Sequence, residues 1–332
     1  MHVTALSGGI GGARFLRGLL PILGPDDDVT VIANTADDLW LFGLKVCPDL
    51  DTVMYTLGGG IDDERGWGRA DETWSATHEL AAYGVQPDWF GLGDRDLATH
   101  VVRTQMLTAG YPLSEVTAAL CERWQPGVTL LPMSNDRVET HIVIDDPQEP
   151  SGRRAIHFQE YWVRLHASVP VRDVVPVGLA DAGPAPGVLD ALHVADVVLL
   201  PPSNPVVSIG TILGVAGVAD ALRESAAPVV GLSPIIGGGA VRGMADQLLT
   251  GLGREVSAGA VGRDYGARSR GGVIDGWLVD STDADQVSAV EDAGIRCRAV
   301  PLLMRDAAAT EAMARAALEL ADSLSSDQAA LP

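Results

Sequence analysis

Short apolar runs alternate with amphipathic stretches along the chain, beginning at the N-terminus. Residues 4–7 predict a strand that enters a glycine-rich turn, and the apolar spacing through Phe15–Leu20 predicts a helix directly after that turn. A second short, β-branched run follows at Val29–Ala33. A strand, a glycine turn, a helix of about 10 residues and a second strand together predict a βαβ unit.

The same alternation continues to the end of the chain. The near-continuous apolar run Val194–Leu200 is typical of a strand buried on both faces, and Pro228–Leu232 repeats it. We therefore predict an α/β fold, with a Rossmann-like, mostly parallel sheet, helices on both of its faces and a smaller inserted α+β region. The other predicted strands are 128–132, 140–144, 155–158, 274–279 and 298–301, and the other predicted helices are 71–83, 97–109, 113–124 and 306–323.

The length of the chain fits one large α/β domain. We expect this Rossmann-like domain to span residues 1–324, with an insert over 60–180 that carries the α+β region. The polar, alanine-containing tail at 325–332 is predicted to be disordered.

Composition narrows the class of protein. Apolar residues make up 47% of the chain, which is sufficient for a core. The formal net charge is −21, which argues against the basic face that nucleic-acid binding requires. Three widely spaced cysteines, Cys47, Cys121 and Cys297, suggest neither a disulfide framework nor a zinc site. No apolar run reaches the ~18 residues that span a membrane, and no signal segment precedes the first strand. We expect a cytoplasmic enzyme without nucleic-acid or membrane partners.

The first turn has the composition of an anion-binding loop. Its glycines, Gly8, Gly9, Gly11 and Gly12, allow backbone N–H groups to approach an anion, and the helix that follows adds a partial positive charge. Arg14 stands where the dinucleotide fingerprint has its third glycine, which suits phosphate better than close helix–strand packing. The alternative is a tight structural turn that binds no ligand.

Polar, turn-forming residues end four of the predicted strands, at Ser7–Gly12, Asn34–Asp38, Ser203–Ser208 and Ser233–Gly239. Ligands of open parallel sheets bind at the carboxyl ends of the strands, so these four segments are expected to line one crevice. Ser203 and Asn204 offer donors for a phosphate or a base edge, and Ser233–Gly239 offers a second set of bare amides.

Two acidic segments add candidate chemistry. If Pro48–Thr52 is extended, Asp49 and Asp51 point to the same side, where they suit Mg²⁺ or the proton of a substrate hydroxyl. Alternatively, Asp51 caps a helix that begins at Thr52. Arg95, flanked by Asp94 and Asp96, has the character of a positioned guanidinium.

Six of these segments, in this order, resemble the 2-phospho-L-lactate transferase family, and the resemblance covers nearly the whole chain. It is strongest to the actinobacterial branch, which is similar to a phosphoenolpyruvyl transferase of coenzyme F-420 biosynthesis. The segments are Ser7–Gly12, Asn34–Trp40, Pro48–Thr52, Gly93–Asp96, Pro202–Pro205 and Ser233–Gly237, with His157–Trp162 matching as well.

The resemblance implies a Mg²⁺-dependent reaction between a guanosine-diphosphate-activated three-carbon acid and the deazaflavin Fo. The terminal hydroxyl of Fo attacks the phosphorus that carries the enolpyruvyl or lactyl group and expels GMP, giving dehydro-F-420-0 or F-420-0. The 60–180 insert then lies on the Fo side, and a homodimer is expected. No residue distinguishes the two donors, and only the actinobacterial resemblance favours the enolpyruvyl form.

The resemblance also assigns roles to residues of this chain. Asp49, Asp51 and Arg95 are the catalytic candidates, with Asp49 and Arg95 at positions expected to contact Fo. From the residues themselves, Asp37 and Asp49 are the metal candidates, with Asp38 and Asp51 as alternatives, and which aspartate binds Mg²⁺ and which orients the hydroxyl is left open. The candidates for binding the nucleotide are Ser7, Gly8, Gly9, Gly11, Gly12, Arg14, Asn34, Thr35, Ser203, Asn204, Ser233 and Gly237.

Two other functions compete with the transferase. A non-catalytic regulator of the same fold that binds nucleotides or nucleotide-sugars needs the glycine turn and the strand-end serines, but neither Asp49 nor Arg95. An NAD(P)-dependent oxidoreductase is disfavoured because Arg14 replaces a glycine of the fingerprint and Asn34 ends the second strand.

The first prediction concerns Asp49. Asp49→Ala is expected to abolish transfer, because the reaction loses a carboxylate that binds the metal or the hydroxyl, while the fold is retained. The measurement is turnover together with circular dichroism. Near-normal turnover of a folded variant would remove Asp49 from the mechanism.

Overall fold

The computed structural model describes residues 1–329 of the chain. Its strands are β1 (His2–Ser7), β2 (Asp28–Ala33), β3 (Leu39–Leu41), β4 (Leu44–Val46), β5 (Thr129–Pro132), β6 (Glu139–Asp145), β7 (Arg153–His157), β8 (Val171–Val177), β9 (Val197–Leu200), β10 (Val229–Leu232), β11 (Ile235–Ile236), β12 (Gly239–Ala240), β13 (Gly276–Asp280) and β14 (Arg296–Val300).

The α-helices are α1 (Ile10–Leu19), α2 (Pro48–Leu57), α3 (Ser75–Ala82), α4 (Asp94–Thr108), α5 (Leu113–Trp124), α6 (Val188–His193), α7 (Ile209–Gly214), α8 (Val218–Glu224), α9 (Ala245–Gly251), α10 (Ala258–Tyr265), α11 (Val287–Asp292) and α12 (Ala307–Ala329). None of the helices within residues 1–329 has the length and apolar character needed to cross a membrane.

A seven-stranded sheet forms the centre of the fold, in the order β14-β13-β10-β9-β1-β2-β5. All of its strand pairs are parallel. The predicted strands of this sheet are confirmed, with boundaries that differ by a few residues. Every residue of β9 and β10 is buried, as expected for central strands covered on both faces.

Helices cover both faces of the sheet, as the α/β prediction required. On one face, α1, α2, α5 and α12 bury an apolar cluster that includes Phe15, Leu50 and Leu320. On the other face, α6, α7, α8, α10 and α11 close a second cluster around residues such as Leu192 and Trp277. The Rossmann-like architecture therefore consists of three layers.

Smaller units stand beside the main sheet. Strands β6, β7 and β8 form an antiparallel sheet in the order β7-β6-β8, whose core includes Phe158 and Tyr161. Strands β3 and β4 form a hairpin that packs on Leu92. The antiparallel sheet is the α+β region expected within 60–180, but β5 in the same span joins the main sheet.

The C-terminal helix extends further than the sequence indicated. The predicted helix ends at residue 323, whereas α12 continues to Ala329. The first part of the tail expected to be disordered, residues 325–329, therefore belongs to this helix. The remainder of that tail, 330–332, lies outside the described residues.

Candidate functional site

Four neighbouring strands of the central sheet, β10, β9, β1 and β2, end at the same edge. These strands precede the four polar segments that the sequence singled out, so the expected convergence of those segments is confirmed. Parallel strands place all their carboxyl ends on one edge, which makes this edge the floor of a crevice. Two cavities open there.

The first cavity has a volume of about 560 Å³. Eight predicted site residues line it: Gly9, Gly11, Arg14, Asp37, Asp49, Ser203, Asn204 and Ser233. Ile10 and Gly11 belong to the first turn of α1, whose backbone N–H groups have no acceptor within the helix. The side-chain oxygen of Asn204 accepts the backbone N–H groups of Val206 and Val207, which leaves its amide N–H groups for the cavity.

Four arginines line the first cavity: Arg14, Arg65, Arg242 and Arg305. Burial, followed by repulsion from Arg242 and Arg17, lowers the pKa of Arg14. Arg242 donates to the backbone oxygen of Arg65 at 2.8 Å. In a chain of net charge −21, this clustering of cations produces a local site for an anionic ligand.

The second cavity, of about 600 Å³, lies beside the first. It is lined mainly by apolar and aromatic side chains, with a polar group of Asp51, Tyr55, Asp96 and His100. Gly9, Asp37, Asp49, Trp67 and Trp162 are among the residues that line both cavities. The two cavities therefore share a wall, and two carboxylates are part of it.

The shared carboxylates are held by one amide. The side-chain nitrogen of Asn34, at the end of β2, donates to Asp37 at 3.1 Å and to Asp49 at 3.0 Å. The Asn34 oxygen is fixed in turn, because it accepts the backbone N–H of Ala36. Asn34 is fully buried and lines neither cavity, so its position is that of a support for the two carboxylates and not of a ligand contact.

Neither shared carboxylate has a cationic partner among the described residues. Desolvation, and then the charge of Asp49, raise the pKa of Asp37 well above its usual range. Desolvation is also the largest cause that raises the pKa of Asp49 to about 7, against the opposing hydrogen bond from Asn34. One oxygen of Asp37, Oδ1, is buried without a hydrogen-bond partner.

Of the two alternatives for Pro48–Thr52, the extended one, with Asp49 and Asp51 on the same side of a strand, is wrong. The segment is helical from Pro48, with Cys47 before the first turn, and residues two apart on a helix point in nearly opposite directions. Asp49 faces Asn34, whereas Asp51 accepts two hydrogen bonds from Arg103 of α4. Asp51 is therefore not the helix cap, and it is part of a buried ion pair with Arg103.

The glycines of the first turn are needed for packing as well as for open amides. A Cβ on Gly11 would collide with the backbone oxygen of Pro202, and one on Gly9 would meet the Asp49 carboxylate. The Gly8 N–H is already occupied, since it donates to the Ser203 hydroxyl at 3.1 Å. Anion binding by this turn is thus limited to the amides at the start of α1.

Several predicted residues do not reach either cavity. Ser7, Gly8, Gly12 and Thr35 lie outside the cavity linings. The second set of bare amides is in part absent, because the Gly237 N–H donates to the Asp283 carboxylate at 3.0 and 3.1 Å.

Arg95 is also separate from the cavities. Arg95 lines neither of them, and its guanidinium donates to the Ala70 oxygen at 3.2 Å. It lines a surface groove beside Trp124. The structure therefore does not bring Arg95 to Asp49.

Sequence reasoning missed the arginines opposite α1 and the role of α4. Arg242 follows the glycine-rich segment after β10, and a basic side chain next to a predicted anion-binding segment could have indicated it. Polar residues recur on α4 at Asp96, Thr99, His100 and Arg103 with helical spacing, and this stripe faces inward. A polar stripe on a helix that packs inward would have been the available signal.

The chain thus has an α/β fold in which two joined cavities share a pair of carboxylates at the carboxyl edge of the central sheet. A family model described as 2-phospho-L-lactate transferase CofD matches residues 3–315. The chain belongs to this transferase family, as its sequence motifs predicted.

Curated relatives agree in name. The phosphoenolpyruvate transferase of Kitasatospora aureofaciens is 66% identical over 322 residues, covering 97% of this chain and 98% of the relative. Those of Streptomyces coelicolor and Nocardia farcinica are 64% and 58% identical, over 97% and 96% of this chain and 98% and 95% of the relatives. A crystal structure of a UPF0052 family member from Bacillus halodurans has the same fold, with a TM-score of 0.60 at 17% identity over 95% of this chain and 98% of that one.

The second prediction concerns pH. The folded protein holds the Asp49 proton up to a pKa of about 7, whereas an unfolded aspartate loses it near pH 4. The carboxyl thus binds more protons folded than unfolded between these values, so stability falls as pH rises through this window. The Asp49→Asn variant has no titratable carboxyl at this position, so its stability does not fall with pH for this reason.

Thermal unfolding of both proteins, measured in a chelator from pH 5 to 8, tests this. The midpoint of wild type should fall relative to Asp49→Asn by about 2 °C or more. Parallel midpoints across the range would contradict the raised pKa.

Proposed function

We propose that this enzyme transfers a phosphoenolpyruvyl group from a guanosine-diphosphate-activated donor to the terminal hydroxyl of Fo, in the formation of coenzyme F-420. The observation that carries this proposal is the pair of joined cavities that share Asp37 and Asp49. One cavity is cationic and lies at a helix N-terminus, and the other is largely aromatic. A diphosphate donor and a planar acceptor have these complementary properties.

The donor is assigned to the first cavity. Arg14, Arg242 and the first amides of α1 are placed to neutralise phosphate oxygens. Asn204 offers its free amide N–H groups, and Ser203 its hydroxyl. Names of close relatives favour the enolpyruvyl over the lactyl group.

The acceptor is assigned to the second cavity, with its hydroxyl chain directed toward the shared wall. The hydroxyl oxygen forms a bond to the phosphorus that carries the enolpyruvyl group, and the bond from that phosphorus to the GMP phosphate breaks. GMP leaves as the anion, and the hydroxyl proton passes to a carboxylate of the shared wall. In a loose transition state such a carboxylate acts mainly by orienting the hydroxyl.

The shared carboxylates also fit a Mg²⁺ ion. Asp37 Oδ1 is a buried oxygen without a hydrogen-bond partner, and no guanidinium or ammonium pairs with Asp37 or Asp49 within residues 1–329. Carboxylate oxygens are the ligands that Mg²⁺ prefers. When bound there by Asp37 and Asp49, the ion would offset negative charge on the phosphates. A cytoplasmic location and a homodimer remain predictions from the sequence.

The third prediction tests the reaction itself. Purified protein incubated with Fo, the activated phosphoenolpyruvate donor and Mg²⁺ is expected to form a phosphodiester product and GMP, both detected by mass spectrometry. The lactyl donor is tested in parallel and should react more slowly. Binding of the donor without any product would favour the regulator. In a separate assay with a reduced nicotinamide cofactor, oxidation of that cofactor would favour the oxidoreductase.

The fourth prediction assigns the donor to its cavity. Arg242→Ala should weaken GDP binding by about 10-fold, the size expected for one charge-assisted hydrogen bond, and leave Fo binding unchanged. Arg172→Ala is the matched control, since Arg172 pairs with Asp145 on the antiparallel sheet. Calorimetric titration provides both affinities. Equal GDP affinity in Arg242→Ala and wild type would move the donor elsewhere.

A further inference from the structure

A polar group lies in the wall of the otherwise apolar second cavity. Asp96 and His100 are one turn apart on α4, and both line the cavity together with Tyr55 of α2. His100 is 1% exposed. Buried polar groups without partners are costly, so the hydrogen bonds available to this group decide what it can do.

The surroundings of His100 determine which of its nitrogens carries the proton. Nδ1 lies 3.1 Å from Nη1 of Arg103. A guanidinium nitrogen can only donate, so Nδ1 accepts and the proton resides on Nε2. The nearest Asp51 oxygen is 3.8 Å from Nδ1, which is too far to hold a proton there by a hydrogen bond.

The Nε2–H group of His100 faces the Asp96 carboxylate and is only weakly engaged by it. Its nearest acceptor is Oδ2 of Asp96, 3.3 Å from Nε2, and this contact falls short of a well-formed hydrogen bond. The other Asp96 oxygen, Oδ1, accepts the Tyr55 hydroxyl at 2.6 Å, which fixes the carboxylate in place. A donor and an acceptor therefore stand side by side at the cavity wall.

A metal ion does not account for this arrangement. One ligand atom each from Asp51, Asp96 and His100 lie within 4.8 Å of one another. However, Asp51 already receives two hydrogen bonds from Arg103, and the same guanidinium occupies His100 Nδ1. A metal cation here would be repelled by the positive charge of the Arg103 guanidinium.

We propose that His100 and Asp96 recognise a lactam edge of the acceptor, the ring C=O accepting from His100 Nε2–H and the adjacent ring N–H donating to Asp96 Oδ2. This inference rests on the proposed function, because it takes the acceptor in the second cavity to be the heterocycle of a deazaflavin. The pair fixes which end of the ligand enters first. The hydroxyl chain is then left to extend toward Asp49 in the shared wall.

The surrounding cavity supports a planar ligand. Phe90, Leu92, Trp67 and Trp162 line it, and such side chains suit the faces of a heterocycle. Recognition of an N–H and C=O edge by buried polar partners is strongly selective, since a ligand without that edge leaves both protein groups unpaired.

The fifth prediction uses two ligands on the unmodified protein and therefore requires no variant. Fo is compared with an analogue methylated at the ring N–H of the lactam, by fluorescence titration without donor. Methylation removes the N–H and places a methyl group against Asp96, so binding should weaken by at least about 10-fold. Equal affinities for the two ligands would overturn the inference.

Two variants locate the effect. His100→Phe should weaken Fo binding by about 10- to 100-fold and leave GDP binding unchanged, because only the acceptor meets His100. Asp96→Ala should bind Fo and the methylated analogue with affinities within about twofold of each other, since the discriminating oxygen is gone. His78→Phe on α3, an exposed histidine outside both cavities, is the matched control.

The outcomes separate this inference from the function on which it rests. If wild type neither binds Fo nor forms the phosphodiester, the proposed function fails. In the other case, wild type binds Fo and forms the product, and His100→Phe is shown to be folded by circular dichroism and by GDP binding. If this variant then binds Fo as tightly as wild type, only the lactam assignment fails.

Discussion

The site depends on two carboxylates that the fold forces together. Asp37 follows β2 and Asp49 lies in the first turn of α2, and a single Asn34 side chain donates to both. Burial raises the pKa of both carboxyls, and the charge of Asp49 raises that of Asp37 further. Because these carboxylates form the wall between the two cavities, their need for positive charge lies where the two ligands are proposed to meet.

The neighbouring cations Lys45 and Arg103 do not supply this positive charge, because each is paired with another carboxylate. Lys45 pairs with Asp38 at 3.2 Å, and Arg103 pairs with Asp51. Breaking a buried pair of this kind typically costs about 3–5 kcal/mol, so each cation remains with its own partner. These pairs fix the β3–β4 hairpin and α2 against α4. The result is a rigid frame in which the carboxylates at 37 and 49 stay open to the cavities.

The alternation of apolar runs was enough to predict the α/β class, most strands of the central sheet and the edge on which ligands bind. A parallel sheet with crossover helices places every carboxyl end on the same side, so Ser203 and Asn204 could be brought to the glycine turn without knowledge of any contact. The sequence motifs also identified the transferase family, since six ordered segments are far more specific than one loop.

The direction of individual side chains was decided only by tertiary structure. Asp49 and Asp51 diverge because the segment is helical, with a period of 3.6 residues where an extended strand has 2. Gly237 is not free because Asp283, far along the chain, occupies its N–H. The tautomer of His100 depends on Arg103 in the same way. Local pattern determines which elements form and which edge they share, whereas the partner of each polar group depends on contacts between distant segments that no local pattern encodes.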